Sequence, residues 1–432
     1  MTRPILMVCE KFPPFNVSGS ARPFYFAKYL PEFGYAPRVI ASTVLGSDDR
    51  DEALLLELSP EVRVSRTPRL LSPLVARLRG RSKRPKPPAP RGPAQASGGQ
   101  PRSLRSALLG LGWWSHWELD WSALATLAGW LGARLTPPDL IWGSGPHFRN
   151  FVVAYRLSVW LHKPLVVDLR DPWTYGSLWS PKTGAIARAE RAWAARVLGH
   201  AARVVFTSPL TLEAMHERFP TLDRRRLVVL TNGFDEAKVT PARDVPEDKC
   251  LFRYVGMLNE RRHPDPLILA FAQACKDPAF RSSTVLEFIG NAGGHEAKVA
   301  LAPGCDVRFR GHVSRAESLR YIFGSDVNVL LQTIKDGQDV VSGKAFDYLH
   351  ARKPILAVVD EAGGDAWLVR ETRAGQIARF DDVEAISSAM TELWRAFRSG
   401  ARELSLANVS QYSRRGLAQQ LAALFDQVLG EA

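Results

Sequence analysis

The sequence predicts an α/β protein built as two doubly wound parallel-sheet domains that face a central cleft. Three observations predict it. The β-rich runs are short and continuously apolar rather than alternating, stretches of helical period lie between them, and the whole pattern restarts after Asn232. The chain of 432 residues suits two or three compact units, and a composition 46% hydrophobic and 23% charged leaves ample apolar surface for their cores. Wholesale disorder and a collagen-like fibre are excluded.

Taken in order, the first unit, residues 1–235, carries strand-like runs at Ile5 to Cys9, Arg38 to Ser42, Leu140 to Gly143, Leu165 to Leu169, Arg203 to Thr207 and Leu227 to Leu230. Phe24, Ala27, Leu30 and Phe33 mark one helical face between them, and Ala187, Glu190, Arg191 and Ala194 sit on another helix of mixed character. Asn232, Gly233, Pro241 and Pro246 punctuate a charged linker. The second unit, residues 245–405, repeats the pattern at Phe252 to Gly256, Val285 to Ile289, Val307 to Phe309, Val327 to Leu331, Ile355 to Val359 and Gln376 to Arg379. Residues 406–432 end the chain, and Leu406 to Leu429 reads as a helix expected to pack back across the first domain. Ligands of open parallel sheets bind beyond the carboxyl ends of the strands, so the cleft between the units is the expected active site.

Charge is concentrated in one place. The net charge is +13, and Val62 to Trp117 holds twelve Arg or Lys and no Asp or Glu, which accounts for almost all of it. A surface that binds nucleic acid would spread its excess more evenly, so no nucleic acid is expected. Pro85, Pro87, Pro88, Pro90 and Pro93, followed by Ala, Ser and Gly, give residues 80–102 the composition of a disordered basic insert. Trp113, Trp114, Trp117 and Trp121 follow an apolar stretch from Leu108 to Leu111. Basic residues beside Trp and Leu suit an anionic membrane surface; the alternative is a solvated linker followed by a helix whose Trp stripe packs into the core. No apolar run is long enough for a secretory signal or a spanning helix, and Cys9, Cys250, Cys275 and Cys305 are too scattered for a disulfide framework or a CxxC zinc site. The expected setting is cytoplasmic, soluble or peripheral on the inner face of the plasma membrane, with the thiols as small hydrophobes.

The loop after the first strand, Phe12 to Pro23, contains Gly19 and leads into a helix near Arg22. Small residues at a helix N-terminus let backbone amides approach an anion. No GxGxxG stands there, which argues against NAD or FAD. In the second unit a strand ends at Gly256 and opens toward Arg261 and Arg262, Gly290 to Gly294 follows another, and Asp339 to Asp347 brings Ser342, Gly343 and Lys344 to a helix start. Fixed cations at a helix N-terminus suit a diphosphate, and carboxylates accept hydrogen bonds from ribose or sugar hydroxyls. The parts describe a nucleotide-sugar pocket, although each alone is equally an ordinary turn or surface carboxylate.

At this point the chain resembles the retaining glycosyltransferases of family 4, with their two Rossmann-like domains in the GT-B arrangement. The landmarks are PPFNVSGSARP in the first loop, VVDLRDPW at Val166 to Trp173, LTNGFDE at Leu230 to Glu236, and SGKAFDYLHARKPIL at Ser342 to Leu356. The resemblance implies transfer of a sugar from a UDP- or GDP-sugar, UDP favoured, to a lipid-linked or cell-envelope saccharide. It implies that Asp347 binds the ribose and Asp339 the donor sugar, both shortened from the family's usual Glu. Arg262, then Arg261, with Lys344 would hold the diphosphate, Gly19, Gly256, Gly290, Ser342 and Gly343 would lie along the donor, and Asp168, Arg170, Asp171 and His147 would line the acceptor side. No separate cofactor and no metal is expected, since no DxD-type cluster stands in a suitable loop. An epimerase or phosphorylase on the same fold, or a non-catalytic membrane-docking scaffold, are the competing expectations.

Overall fold

The computed structural model describes residues 2–44, 50–69, 121–145, 148–174, 184–333, 339–400, 403 and 409–431. The first half is built from β1 (Arg3–Val8), α1 (Ser18–Tyr29), β2 (Tyr35–Ser42), α2 (Ala53–Leu56), β3 (Arg63–Thr67), α3 (Ala123–Leu135), β4 (Leu140–Ser144), α4 (Arg149–Leu161), β5 (Leu165–Leu169), α5 (Gly184–His200), β6 (Arg203–Phe206), α6 (Pro209–Arg218) and β7 (Leu227–Val229). The second follows with β8 (Cys250–Val255), α7 (Asp265–Ala274), α8 (Pro278–Ser282), β9 (Thr284–Ile289), β10 (Val307–Arg310), α9 (Arg315–Phe323), β11 (Val327–Leu331), α10 (Gly343–Ala351), β12 (Ile355–Val359), α11 (Gly364–Thr372), β13 (Gly375–Arg379), α12 (Val383–Arg398) and α13 (Arg414–Glu431).

Each half forms one all-parallel sheet. The orders are β3-β2-β1-β4-β5-β6-β7 and β10-β9-β8-β11-β12-β13, so both sheets start at a central strand, wind outward, and reverse beside it. The central strands β4, β5, β11 and β12 are buried at every residue, which is why they read as continuous apolar runs. The strand at Arg63–Thr67 escapes the apolar reading: it is an edge strand, registered with Arg38 to Ser42, whose burial alternates and whose residues are largely polar.

On the first sheet, α3 to α6 cover one face, where Trp121, Phe151, Leu157, Trp173 and Leu198 pack on Val8, Ile141 and Val167. The opposite face is covered by α1 and by α13, whose Leu417, Leu421, Leu424 and Phe425 pack on Ile5, Met7 and Val39. The last helix therefore packs on the first sheet, but it begins at Arg414 after a 3₁₀ turn at Val409–Tyr412, not at Leu406. Helix α1 begins at Ser18 rather than near Arg22, so Gly19 lies in its first turn. Trp121 is fully buried in the core, which removes it from any membrane-facing set; residues 80–102 and Trp113, Trp114 and Trp117 lie outside the described residues. Cys9, Cys250 and Cys275 are buried and Cys305 half-buried, all as free thiols. Among the described residues no helix is long and apolar enough to cross a membrane.

Candidate functional site

The strand order reverses between β1 and β4 in one sheet and between β8 and β11 in the other, and the crevices at these two switch points face each other. Between them lies a cavity of about 430 Å³ lined by α1, the β5 end, Asn232 and Gly233, Arg262, Arg315, the start of α10, and Arg414 of α13.

The second-domain wall is the more cationic. Helix α10 starts after Ser342, whose backbone N–H donates to Asp365 at 2.7 Å, and Lys344 is the second residue of its first turn. The Lys344 ammonium donates to the Tyr254 hydroxyl at 3.2 Å and lies 4.5 Å from the centre of that ring. It occupies space that exists because residue 256 has no side chain: a Cβ there would fall 1.7 Å from Nζ, and the backbone holds φ +148. Gly290 packs directly behind, where a Cβ would meet the Gly256 carbonyl at 2.5 Å. Burial, together with the neighbouring Arg262 guanidinium, lowers the Lys344 pKa to about 7, with Asp365 and Asp347 opposing. Asp365 is fully buried and pushed up to about 6 by that burial, against its Ser342 hydrogen bond and the two cations. Two adjacent cations at a helix N-terminus, served by one poorly ionising carboxylate, make a site that favours a bound anion.

Arg262 lines the cavity from a tight turn in which its N–H donates to the Asn259 carbonyl at 2.9 Å. Arg261 precedes it in that loop, its carbonyl accepting from the Thr333 N–H at 2.9 Å. At one end of the cavity Asp347, buried on α10, is paired with Arg315 at 2.7 Å. Arg414 lies there too, its guanidinium 3.4 Å from the centre of the Tyr25 ring.

At the other end stand Arg170 and Asp171, immediately after β5. Burial raises the Asp171 pKa, Asp339 adds to the rise, and Arg170 opposes it. The Asp339 carbonyl accepts hydrogen bonds from the Ser208 hydroxyl and, at 2.9 Å, from the Thr211 hydroxyl, so the loop carrying Asp339 is seated on the N-terminus of α6 across the cleft. Asp168 is fully buried one layer behind the wall. It accepts from Arg22 at 2.8, 2.9 and 3.1 Å and from Ser144 at 2.7 Å, while Arg22 also donates to the Leu230 and Thr231 carbonyls. This ion pair ties α1, β5 and the chain leaving β7 together at the cavity floor.

Structural likeness extends over the whole chain. A sucrose-phosphate synthase from Thermosynechococcus elongatus superimposes with TM-score 0.61 at 15% identity, covering 100% of both chains. A UDP-forming trehalose-phosphate synthase from Burkholderia vietnamiensis gives 0.60 at 13%, again over 100% of both. The Anabaena protein HepE, solved with UDP-glucose, gives 0.54 at 15%, over 99% of this chain and 98% of that one. The fold is GT-B. Within this GT-B chain, residues 85–238 match the sequence model of Glycosyltransferase Family 4, a span that holds Asp168, Arg170, Asp171, Asn232 and Gly233. No curated protein matches it in sequence.

The GT-B cleft brings Arg262, Ser342, Gly343, Lys344, Asp347, Arg170 and Asp171 together around one cavity. Gly256 and Gly290 stand behind Lys344, Asp339 beside Asp171, and Asp168 behind Arg22. Gly19 in the first turn of α1 and Arg261 are not among the lining residues, and His147 lies outside the described residues. The motifs gave no role to Arg22, Tyr25, Tyr254, Arg315, Asp365 or Arg414. Arg414 and Tyr25 could not be found from spacing, because they are nearly four hundred positions apart in the chain. Asp365 carried a usable signal, an acid directly after Gly363 and Gly364 at a helix start.

Proposed function

We propose that the protein is a retaining, metal-independent glycosyltransferase that moves a sugar from a UDP-sugar, or a GDP-sugar, to a lipid-linked or cell-envelope saccharide at the cytoplasmic face of the membrane. The observation that carries this reading is the pair Arg262 and Lys344, half-buried together in the interdomain cavity at the start of α10. The diphosphate of a donor fits there: the two cations and the helix-terminal amides meet the charge that develops on the departing nucleoside diphosphate, a stabilisation of several kcal/mol. Asp347 takes the ribose hydroxyls and Asp339 the donor sugar. Arg170 and Asp171 receive the acceptor, with Asp168 holding Arg22 and the floor in place from behind. The acceptor hydroxyl passes its proton to a leaving phosphate oxygen on the same face, so no dedicated protein base is required. The UDP named for two of the structural neighbours supports UDP as the first donor to try. The basic Gly80 to Arg102 segment with Trp113, Trp114 and Trp117 supplies contact with an anionic surface.

The test is thermal unfolding with UDP, GDP, ADP and NAD, each at 100 times its dissociation constant, where a bound ligand adds about 2.7 kcal/mol of stability. UDP or GDP is expected to stabilise selectively. Arg262→Ala is expected to lose that stabilisation and about 10²- to 10³-fold of transfer while its ligand-free melting point stays put. Silence toward every nucleotide would favour the scaffold reading, and stabilisation by nucleotide with no transfer to any acceptor would favour an epimerase or phosphorylase.

A further inference from the structure

Helix α10 opens on a serine that does not cap it. Ser208, Asp277, Ser314 and Asp382 each accept a hydrogen bond from a first-turn amide of their own helix, α6, α8, α9 and α12 respectively. Ser342 stands at the same position before α10, yet its side chain accepts no such bond. A capped start satisfies its own amides, whereas an uncapped one leaves them for another partner. The space in front of them is open as well: Gly343 lines the interdomain cavity, and a Cβ placed on it would have nothing within 4 Å.

What holds this start comes from another helix. Asp365 lies in the first turn of α11, 23 positions further along the chain, and its carboxylate accepts the Ser342 N–H at 2.7 Å. Val341, just before, is buried in the same apolar cluster as Ala366 and Leu368 of α11. The Asp339 carbonyl accepts from Ser208 and Thr211 of the first domain. The chain from Asp339 to Lys344 is thus strung between a first-domain contact, an apolar anchor and one carboxylate. Asp365 is only 5% exposed, and the charged groups facing it are the Lys344 ammonium on α10 and the Arg262 guanidinium on the loop after β8, with the buried Tyr348 hydroxyl of α10 also nearby. A buried anion is tolerated where cations compensate it, and a carboxylate that accepts a backbone N–H makes a short, strong contact. The proposed reaction gives this group no task.

We propose that Asp365 is the positioning residue of the diphosphate site: by holding the Ser342 N–H it fixes the start of α10 without occupying the amides of the first turn, so that these amides and the Lys344 ammonium stay open to the ligand. A start that capped itself through the Ser342 hydroxyl would close on its own amides instead. The inference rests on the donor reading of the cavity and adds to it the residue that keeps the site formed while no donor is bound. Asparagine at 365 still offers an oxygen to the Ser342 N–H. Alanine offers none, and leaves a partly buried donor without its acceptor beside two cations.

The experiment compares the full chain with its Asp365→Asn and Asp365→Ala variants. Amide hydrogen exchange is followed over residues 339–346 of the ligand-free proteins, and affinities are measured for UDP and uridine, or for GDP and guanosine where GDP is the nucleotide that stabilises. The ratio of the two affinities reads the diphosphate alone, and a general loss of structure would not move it. Asp365→Ala is expected to exchange about tenfold faster over 339–346 while β8, β11 and β12 keep their protection, and to lose about tenfold of UDP affinity with uridine unchanged. Asp365→Asn should restore both to within about threefold of the wild type. Unaltered exchange in Asp365→Ala, equal losses in the two variants, or equal losses of UDP and uridine would overturn the proposal. Tighter UDP binding by Asp365→Ala would overturn it too, by making the carboxylate a counter-charge that the ligand must displace. A wild type silent toward every nucleotide would sink the donor reading and this role with it, whereas a normal wild-type UDP response with unaltered exchange in Asp365→Ala would sink the positioning role alone.

Discussion

Lys344 shows how one residue's chemistry follows from its surroundings. Its ammonium has lost water to burial, faces a second cation in Arg262, and finds Tyr254, Asp365, Asp347 and Arg315 around it. Its ordinary pKa of 10.5 falls to about 7 in the free protein. Between these two values the unfolded chain holds a proton that the folded chain does not, so this group makes ligand-free stability rise with pH across that window. Diphosphate binding works the other way, because an anion favours the charged ammonium and takes up a proton above pH 7. Nucleotide affinity is therefore expected to weaken by up to tenfold per pH unit above about 7, with proton uptake visible as a buffer-dependent calorimetric enthalpy. Lys344→Met should bind more weakly at pH 6.5 and lose the slope; an unaltered slope would assign the proton to another group.

At the scale of elements, the site depends on how strands and helices end. Gly256 directly follows strand β8, and the positive φ there turns the chain so that its carbonyl meets Gly290 and leaves a niche for the Lys344 ammonium. Gly256→Ala is expected to cost about 1–3 kcal/mol from the backbone strain, read as a lower urea midpoint at unchanged slope. It should also displace Lys344 and weaken UDP, whereas full UDP affinity in a destabilised variant would show that the niche is dispensable. The same strand tolerates Arg253 in its interior because Glu287 on β9 pairs with it at 2.6 Å and the Ala242 and Tyr321 carbonyls accept its other N–H groups. On the first sheet Arg22 and Asp168 make a comparable buried pair. Such pairs are costly to break from one side, and each ties a linker or helix to its sheet.

For the whole molecule, the two domains are joined on both sides of the cavity. On one side Phe234 exchanges backbone hydrogen bonds with Tyr412 and Arg414, and α13 carries the chain's end onto the first sheet. On the other the Asp339 carbonyl sits on Ser208 and Thr211, both buried. The second contact is small and polar, as a surface that opens and closes requires. Ser208→Ala/Thr211→Val is expected to leave each domain folded while the cleft relaxes, measured as a larger radius of gyration in small-angle scattering that UDP restores. An unchanged radius would mean that the α13 crossing alone sets the arrangement.

How much was legible follows from what each element answers to. Twelve strands could be read from the chain, the inner ones because a parallel strand covered on both faces must be continuously apolar, and the edge strands β7, β10 and β13 from their place in the alternation with helices; the restart after Asn232 gave the second sheet. The strand at Arg63–Thr67 was not legible, since an edge strand with one wet side carries no such run. Arg262, Lys344 and Asp347 could be named from local motifs because a strand end and a helix start already place them on one rim. Arg315, Asp365, Arg414 and Tyr25 reach the cavity or its wall only through folding. Sequence by itself determined the two wound domains, the helix start that carries Ser342, Gly343 and Lys344, and the uneven charge, since these follow from short-range period and composition. Tertiary structure alone decided which cations share the cavity and which carboxylate stands behind the wall, since each depends on the distance between segments far apart in the chain.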